Sequence, residues 1–137
     1  MTDKASIVLA SGTVDKLMAG SIIVSGAVAN GMDVNVFVTF WALMEMRKNA
    51  PENTKLSVEG KGMEKQLFSI MKEKKVPSWK DTLKQAAEIG SVHVYGCAMF
   101  ADLMGIGKDD LDPMIEDVIG VSQFVDMAKD SKMTLFI

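Results

Sequence analysis

Short apolar segments alternate with longer, partly polar segments along the whole chain. The first apolar segment, at 5–10, has the length and composition of a strand. The helical stretch that follows begins near Thr13 and ends at the pair Asn30-Gly31, which is typical of a helix C-terminus. Between 32 and 40, valines alternate and both faces are apolar, so this segment predicts a buried strand of a parallel sheet.

The middle of the chain is more polar and predicts helices that are joined by loops. Helices are predicted at 42–48, 63–74 and 78–87. Between the first two, the polar residues up to Gly62 predict an irregular loop. Ser78, followed three residues later by Asp81, resembles a capping box and marks the start of the third helix.

The last third of the chain returns to alternating strands and helices. Strands are predicted around 92–95 and at 115–119 and 133–137, and helices at 98–104 and 121–129. Strands that alternate with helices predict an α/β fold, a three-layer sandwich with right-handed crossovers. We expect a mostly parallel five-stranded sheet of order 2-1-3-4-5, helices on both faces, and one domain over 1–137.

Composition excludes several classes of site. The 137 residues contain one cysteine and one histidine, so neither an intrachain disulfide nor a zinc site of four Cys and His ligands can form within the chain. We therefore expect no metal site and no cofactor. The formal net charge of −3, without a cluster of basic and aromatic residues, argues against a nucleic-acid partner.

The pattern also argues against membrane insertion and secretion. The N-terminal residues lack the basic and long apolar segments of a signal peptide, so we expect a cytoplasmic protein. The apolar region 17–46 is interrupted by Asn30-Gly31, Asp33 and Asn35 before an apolar run of about 18 residues is complete. We expect no transmembrane segment.

The only cysteine, Cys97, lies where a predicted strand runs into a predicted helix. At such a junction, free backbone N–H groups and the helix dipole favour the thiolate, which is the reactive form of cysteine. Cys97 is therefore the candidate catalytic residue. The alternative is that Cys97 is a small buried apolar residue, as free cysteine often is.

A binding cleft is expected where the strand order reverses, beyond the carboxyl ends of the strands. With the order 2-1-3-4-5, the loops after strands one and three meet there, and the end of strand two lies close by. The candidate substrate-binding residues in these loops are Ser11, Gly12, Thr13, Phe40, Trp41, Gly96 and Ala98. Small residues and exposed backbone N–H groups would make this cleft tolerant of anions.

Two further features have competing interpretations. His93 lies about 13 Å from Cys97 along an extended strand, too far for a hydrogen bond, so a strand histidine with another partner is favoured over a catalytic base. The chain has twelve methionines, and five of them form either a soft pocket or partner-binding surface or core filler, of which core filler is favoured; these are Met18, Met44, Met46, Met99 and Met104.

Taken together, these segments resemble the DsrE/DsrF-like sulfur-relay family, and most closely its DsrE2-like branch. The resemblance runs nearly end to end and is carried by residues 11–17, 31–41, 97–106 and 134–137. It implies that Cys97 carries sulfur as a persulfide or thiosulfonate. It also implies a homo-oligomer, with a trimer favoured, and sulfur donors and acceptors that are proteins or small sulfur compounds. Where many DsrE2-like members have a Gly/Met-rich middle stretch, this chain has the charged segment 59–75.

Two hypotheses from different classes follow. In the first, Cys97 accepts a sulfane sulfur and passes it to the thiol of a partner, because no second cysteine in the chain could discharge it. In the second, the same cleft binds a small ligand or a partner without catalysis, and Cys97 is part of its wall. A peroxidatic cysteine is less favoured, since the chain has no resolving cysteine.

Overall fold

A single sheet of five parallel strands lies at the centre of the structure, a computed structural model that describes residues 2–137. The strands are β1 (Lys4–Leu9), β2 (Asp33–Val38), β3 (Val92–Cys97), β4 (Ile115–Ile119) and β5 (Met133–Phe136). The helices are α1 (Val14–Ala29), α2 (Phe40–Glu45), α3 (Glu64–Glu73), α4 (Trp79–Ile89), α5 (Ala98–Leu103) and α6 (Val121–Ala128). The predicted α/β class and the predicted sequence of elements are confirmed.

Within this fold class, the strand order differs from the expected one. The observed order is β4-β3-β2-β1-β5, so β2 lies between β1 and β3 and the first four strands advance in one direction across the sheet. The expected order 2-1-3-4-5 placed β1 beside β3. Because α1 and α4 pack against each other on one face, right-handed crossovers require β3 to follow β2 outward instead of crossing over β1.

The two faces of the sheet are covered by different helices, as expected of a sandwich. Leu9 pairs in register with Val38, and the Leu9 side chain packs against α1 at Gly20. The neighbouring position, Phe37, points to the opposite face, since side chains alternate along a strand. There its ring stacks on Phe124 of α6, with 4.7 Å between the ring centroids. Thus α1 and α4 cover one face, and α6 covers part of the other.

A side-chain cap marks the start of α4 but not that of α1. Ser78 precedes α4, and its hydroxyl accepts a hydrogen bond from the backbone N–H of Asp81 at 3.1 Å, as the sequence predicts. Thr13 holds the corresponding position before α1, but its side chain forms no capping bond. The Thr13 hydroxyl instead lies 3.2 Å from the hydroxyl of Ser11.

Between α2 and α4, residues 46–78 form a long excursion from the sheet, and this excursion is attached to the start of α1. The backbone N–H of Val14 donates to the carbonyl oxygen of Lys55 at 2.8 Å, and the side-chain amide of Asn53 donates to the carbonyl oxygen of Gly12 at 2.7 Å. The hydroxyl of Ser57 donates to the carboxylate of Asp15. The predicted irregular loop is present here, and these bonds hold it in place.

Within residues 2–137, every helix is too short or too polar to cross a lipid bilayer.

Candidate functional site

Cys97 is the last residue of β3 and directly precedes α5. Its side chain belongs to the hydrophobic core and the residue is 7% exposed. The thiol is free. Helix α5 contains only six residues, so the thiol faces a much shorter helix than α1. The predicted strand–helix junction is present, and the cysteine at that junction is buried.

The connections between strands switch from one face of the sheet to the other beside Cys97. The expected strand order placed this switch between β1 and β3. A right-handed connection from β3 to β4 runs over the face that carries α1. The connection from β4 leads instead to α6 on the opposite face, so that β5 can join the sheet beside β1. The two connections therefore diverge at the ends of β3 and β4, where Cys97 pairs with Ile119.

His93 takes no part in a pair with Cys97. One ring nitrogen lies 2.7 Å from the carboxylate of Glu116, and the other lies 3.3 Å from the hydroxyl of Ser91. Both ring nitrogens thus have partners at the far end of β3. This agrees with the interpretation of His93 as a strand histidine with another partner.

The end of β2 contains a strained aromatic residue. Phe40, the first residue of α2, has a φ of 46°, a conformation that bulky side chains rarely adopt. Its ring stacks on Phe100 of α5 at 4.6 Å, and the ring of Trp41 meets Phe100 edge-on at 5.8 Å. This aromatic cluster joins α2 to α5, and its member Phe100 lies three residues after Cys97. The cluster holds Phe40 in its unfavourable conformation.

A cavity of about 420 Å³ lies at the carboxyl ends of β1 and β2. Four of the predicted binding residues line it, and these are Ser11, Gly12, Thr13 and Trp41. The other predicted residues, Phe40, Gly96, Cys97 and Ala98, do not line it. Because β2 separates β1 from β3, the loops after β1 and β3 are two strand spacings apart, about 10 Å. The structure divides the predicted site into two neighbouring parts, which share the aromatic cluster.

The loop after β1 differs from the anion-binding loop that we expect from the sequence. The backbone N–H groups of Ala10 and Ser11 donate to the main-chain oxygen of Ile137, at 2.7 and 3.3 Å, and that of Val14 donates to Lys55. Most of the loop's amides are therefore already paired within the protein. An anion in this cavity would have to be bound by side chains.

The comparisons with known proteins agree with this fold. The model of the DsrE/DsrF/DrsH-like family matches residues 1–69 and 59–136, which is nearly the whole chain. The chain belongs to this family. The match is to the family as a whole, so the closer likeness to its DsrE2-like branch stays a prediction.

Two proteins that are similar to this DsrE/DsrF/DrsH-like protein extend the comparison. The uncharacterized protein YrkE of Bacillus subtilis (strain 168) is 30% identical over an alignment of 159 positions, gaps included, which covers 99% of this chain and 98% of YrkE. The solved structure of MTH1491, a protein of unknown function from Methanobacterium thermoautotrophicum, is similar with a TM-score of 0.52 and 11% identity. That match covers 98% of this chain and 99% of the other. At this identity the likeness to MTH1491 shows the fold alone.

In this member of the family, sequence reasoning missed the charged residues of the cavity. Arg47, Lys55 and Glu45 line it together with Met44 and Pro51. Arg47 is the only arginine of the chain, which is the one signal that could have singled it out. The others lie in a region whose pattern predicts only a helix end and a polar loop.

Asp15 provides a test of how the excursion is attached to this DsrE-like fold. Burial alone would raise the pKa of the Asp15 carboxyl, but hydrogen bonds from Ser57 and Thr13 outweigh burial and lower it. A carboxyl whose pKa is lowered by folding stabilises the protein above its unfolded-state pKa of about 3.9, and this stabilisation is lost as the pH falls through the folded-state value. We expect the free energy of unfolding of the wild type to fall more steeply below about pH 4 than that of Asp15→Asn.

This comparison is made by urea denaturation at several pH values. Asp126→Asn, on the exposed surface of α6, serves as the control for removing one carboxylate. Equal pH dependence of the wild type and Asp15→Asn would contradict the expectation.

Proposed function

We propose that this protein is a sulfur-relay protein that carries sulfane sulfur on Cys97 and passes it to the thiol of a partner. The observation that carries the proposal is membership of the DsrE/DsrF/DrsH-like family. The position of the only cysteine supports it, because Cys97 lies at the carboxyl end of a parallel strand, where the connections after β3 and β4 diverge.

The transfer needs no oxidant. The Cys97 thiolate attacks the outer sulfur of a donor persulfide, a new S–S bond forms at Cys97, and the donor leaves as its thiolate. The outer sulfur keeps its oxidation state throughout. An acceptor thiolate then attacks the same outer sulfur and releases the Cys97 thiolate. With tetrathionate as donor, attack on an inner sulfur releases thiosulfate and leaves a thiosulfonate on Cys97.

A single cysteine suits a carrier better than a disulfide enzyme. A second thiol in the chain would attack a Cys97 persulfide, releasing sulfide and leaving a disulfide. The chain contains no other cysteine, so a persulfide on Cys97 persists until an external thiol reaches it. Because Cys97 is largely buried, access requires a small donor or a local opening of the structure around it.

Intact-protein mass spectrometry tests the proposal. The reduced protein is incubated with a small persulfide, thiosulfate or tetrathionate, freed of the donor, and then mixed with an acceptor thiol. We expect a mass increase of one sulfur atom with the persulfide, located on Cys97 by peptide mapping, and its loss on addition of the acceptor. Absence of an adduct with every donor would refute the proposal.

A second candidate function is the binding of a small ligand without catalysis. It is favoured by one observation: the largely buried Cys97 does not line the cavity that contains Ser11, Thr13 and Trp41. Alkylation at neutral pH distinguishes the two candidates. A Cys97 that reacts faster than N-acetylcysteine supports sulfur transfer, and one that reacts far more slowly supports binding alone.

We further propose that the protein is a homo-oligomer, with a trimer favoured. Three large apolar side chains of α2 and α5 are more than half exposed, namely Trp41 at 60%, and Met99 and Leu103 at 70% each. Exposed apolar patches of this kind usually mark partner surfaces. We expect light scattering coupled to size exclusion to give a mass of about three chains, and Leu103→Glu to lower it.

The matched control for this prediction is Ile89→Glu. Ile89 is 81% exposed and is the last residue of α4, which precedes β3. Leu103 lies instead in α5, which follows β3. The same charge placed at Ile89 should leave the assembly unchanged. A monomeric wild type at micromolar concentration would contradict the oligomer.

A cytoplasmic location accompanies these proposals, since a carrier thiol must remain reduced between transfers. Cell fractionation with an antibody against the protein tests it, and recovery outside the cytoplasmic fraction would contradict it.

A further inference from the structure

We propose that the cavity between the loop after β1 and helix α2 binds a small organic carboxylate, and that Arg47 is the residue that recognises it. The volume of about 420 Å³ is within the range of small-molecule sites. This inference concerns a site apart from Cys97, and it holds whether or not Cys97 carries sulfur.

Arg47 is held in place without being neutralised. Its Nε donates to the carbonyl oxygen of Met44 at 2.8 Å, and its backbone forms an antiparallel bridge with Leu111. Among residues 2–137, no carboxylate lies within salt-bridge distance of Arg47. The terminal nitrogens of the guanidinium therefore remain available for a carboxylate, whose two oxygens match the planar guanidinium.

Lys55 is the second basic residue that lines the cavity. Its backbone is fixed twice, because its N–H donates to the side chain of Asn53 at 3.0 Å and its carbonyl oxygen accepts from Val14. The Lys55 ammonium likewise has no carboxylate partner among the described residues. Two basic residues from separate segments thus border one cavity and attract negative charge.

Glu45 and Trp41 narrow the ligand class to an organic anion. With Arg47 and Lys55, Glu45 leaves the cavity an excess of one positive charge, which favours an anion over a neutral ligand. Trp41 offers an aromatic wall for an apolar body. At Gly12, an added Cβ would lie 2.8 Å from the Trp41 carbonyl oxygen, so this glycine lets the loop pack closely against Trp41.

Binding can be measured with defined probes on the full chain. The probes are S-methylglutathione, which carries two carboxylates and one ammonium group and cannot exchange with Cys97, then glutarate, its neutral analogue glutaramide, and inorganic sulfate. Isothermal titration calorimetry gives the affinity, and Trp41 fluorescence, read in a Trp79→Phe variant because the chain has two tryptophans, reports the location. We expect saturable binding of S-methylglutathione or glutarate, and at least about tenfold weaker binding of glutaramide and sulfate.

Charge-neutralising variants identify the residues that recognise the carboxylate. Arg47→Gln should weaken carboxylate binding by about tenfold or more, and Lys48→Gln, one residue further on, should leave it unchanged. Lys55→Gln, at an exposed position, provides a second test should Arg47→Gln fold poorly by circular dichroism. Cys97→Ser should bind as the wild type does, which separates this inference from sulfur transfer.

Several results would overturn the proposal. The first is a lack of saturable binding by both S-methylglutathione and glutarate. The second is binding of glutaramide or sulfate that is as tight as that of glutarate. The third is equal affinity for the carboxylate probes in Arg47→Gln, Lys55→Gln and Lys48→Gln.

Discussion

Replacing Cys97 with serine should abolish sulfur loading entirely. Serine keeps the size and shape of the side chain, but its hydroxyl is no nucleophile toward a persulfide at neutral pH, because only the thiolate exchanges with S–S bonds. With a persulfide donor, the wild type should gain one sulfur atom, and Cys97→Ser should keep its original mass. Intact-protein mass spectrometry measures both in one experiment.

The control for this variant is its fold. Cys97 is buried among apolar side chains, and a hydroxyl placed there lowers the free energy of unfolding by about 1–3 kcal/mol, which should leave the chain folded. Circular dichroism and the sedimentation coefficient should match those of the wild type. Loading of the serine variant to the wild-type level would show that sulfur binds elsewhere, and the carrier role of Cys97 would be wrong.

Replacing Phe124 with alanine should lower the free energy of unfolding by about 3–5 kcal/mol. Phe124 is 5% exposed, and its ring stacks on Phe37 of β2. Helix α6 packs on β1 and β2 on the face opposite α1, and Phe124 is its only buried residue. Truncation therefore leaves a cavity over the centre of the sheet that neighbouring side chains cannot fill. Urea denaturation followed by circular dichroism measures the loss.

Val125→Ala provides the matched control, since Val125 is the next residue of the same helix and is 57% exposed. Both substitutions introduce alanine into the same helix, so they change the helix propensity by similar amounts. They remove very different areas of buried side chain. We expect a change within about 0.5 kcal/mol for Val125→Ala. Equal losses for the two variants would show that the Phe124 ring does not anchor α6.

The secondary structure could be predicted from the sequence almost in full. The strand predicted at 115–119 is observed at Ile115–Ile119, and the cap that Ser78 was expected to form is present. These features depend on residues that are close together in the chain, such as a hydroxyl three residues before the N–H it accepts from. Cys97 could be placed at a strand–helix junction for the same reason.

The candidate site could be predicted only in part. Ser11, Gly12, Thr13 and Trp41 do line one cavity, but Cys97 is separated from it by the end of β2. The expected strand order would have brought the loops after β1 and β3 together. Arg47 escaped notice because a single arginine after a helix has no periodic signal.

Local patterns in the sequence by themselves determined the α/β class, the parallel strands and the location of the only thiol, because hydrophobic periodicity and caps act over a few residues. Only the tertiary structure decided the order β4-β3-β2-β1-β5, the burial of Cys97 and the meeting of Arg47 with Lys55. These depend on how α1 and α4 pack side by side and on which carbonyl receives the N–H of Val14. Such contacts join distant residues, and no local pattern specifies them.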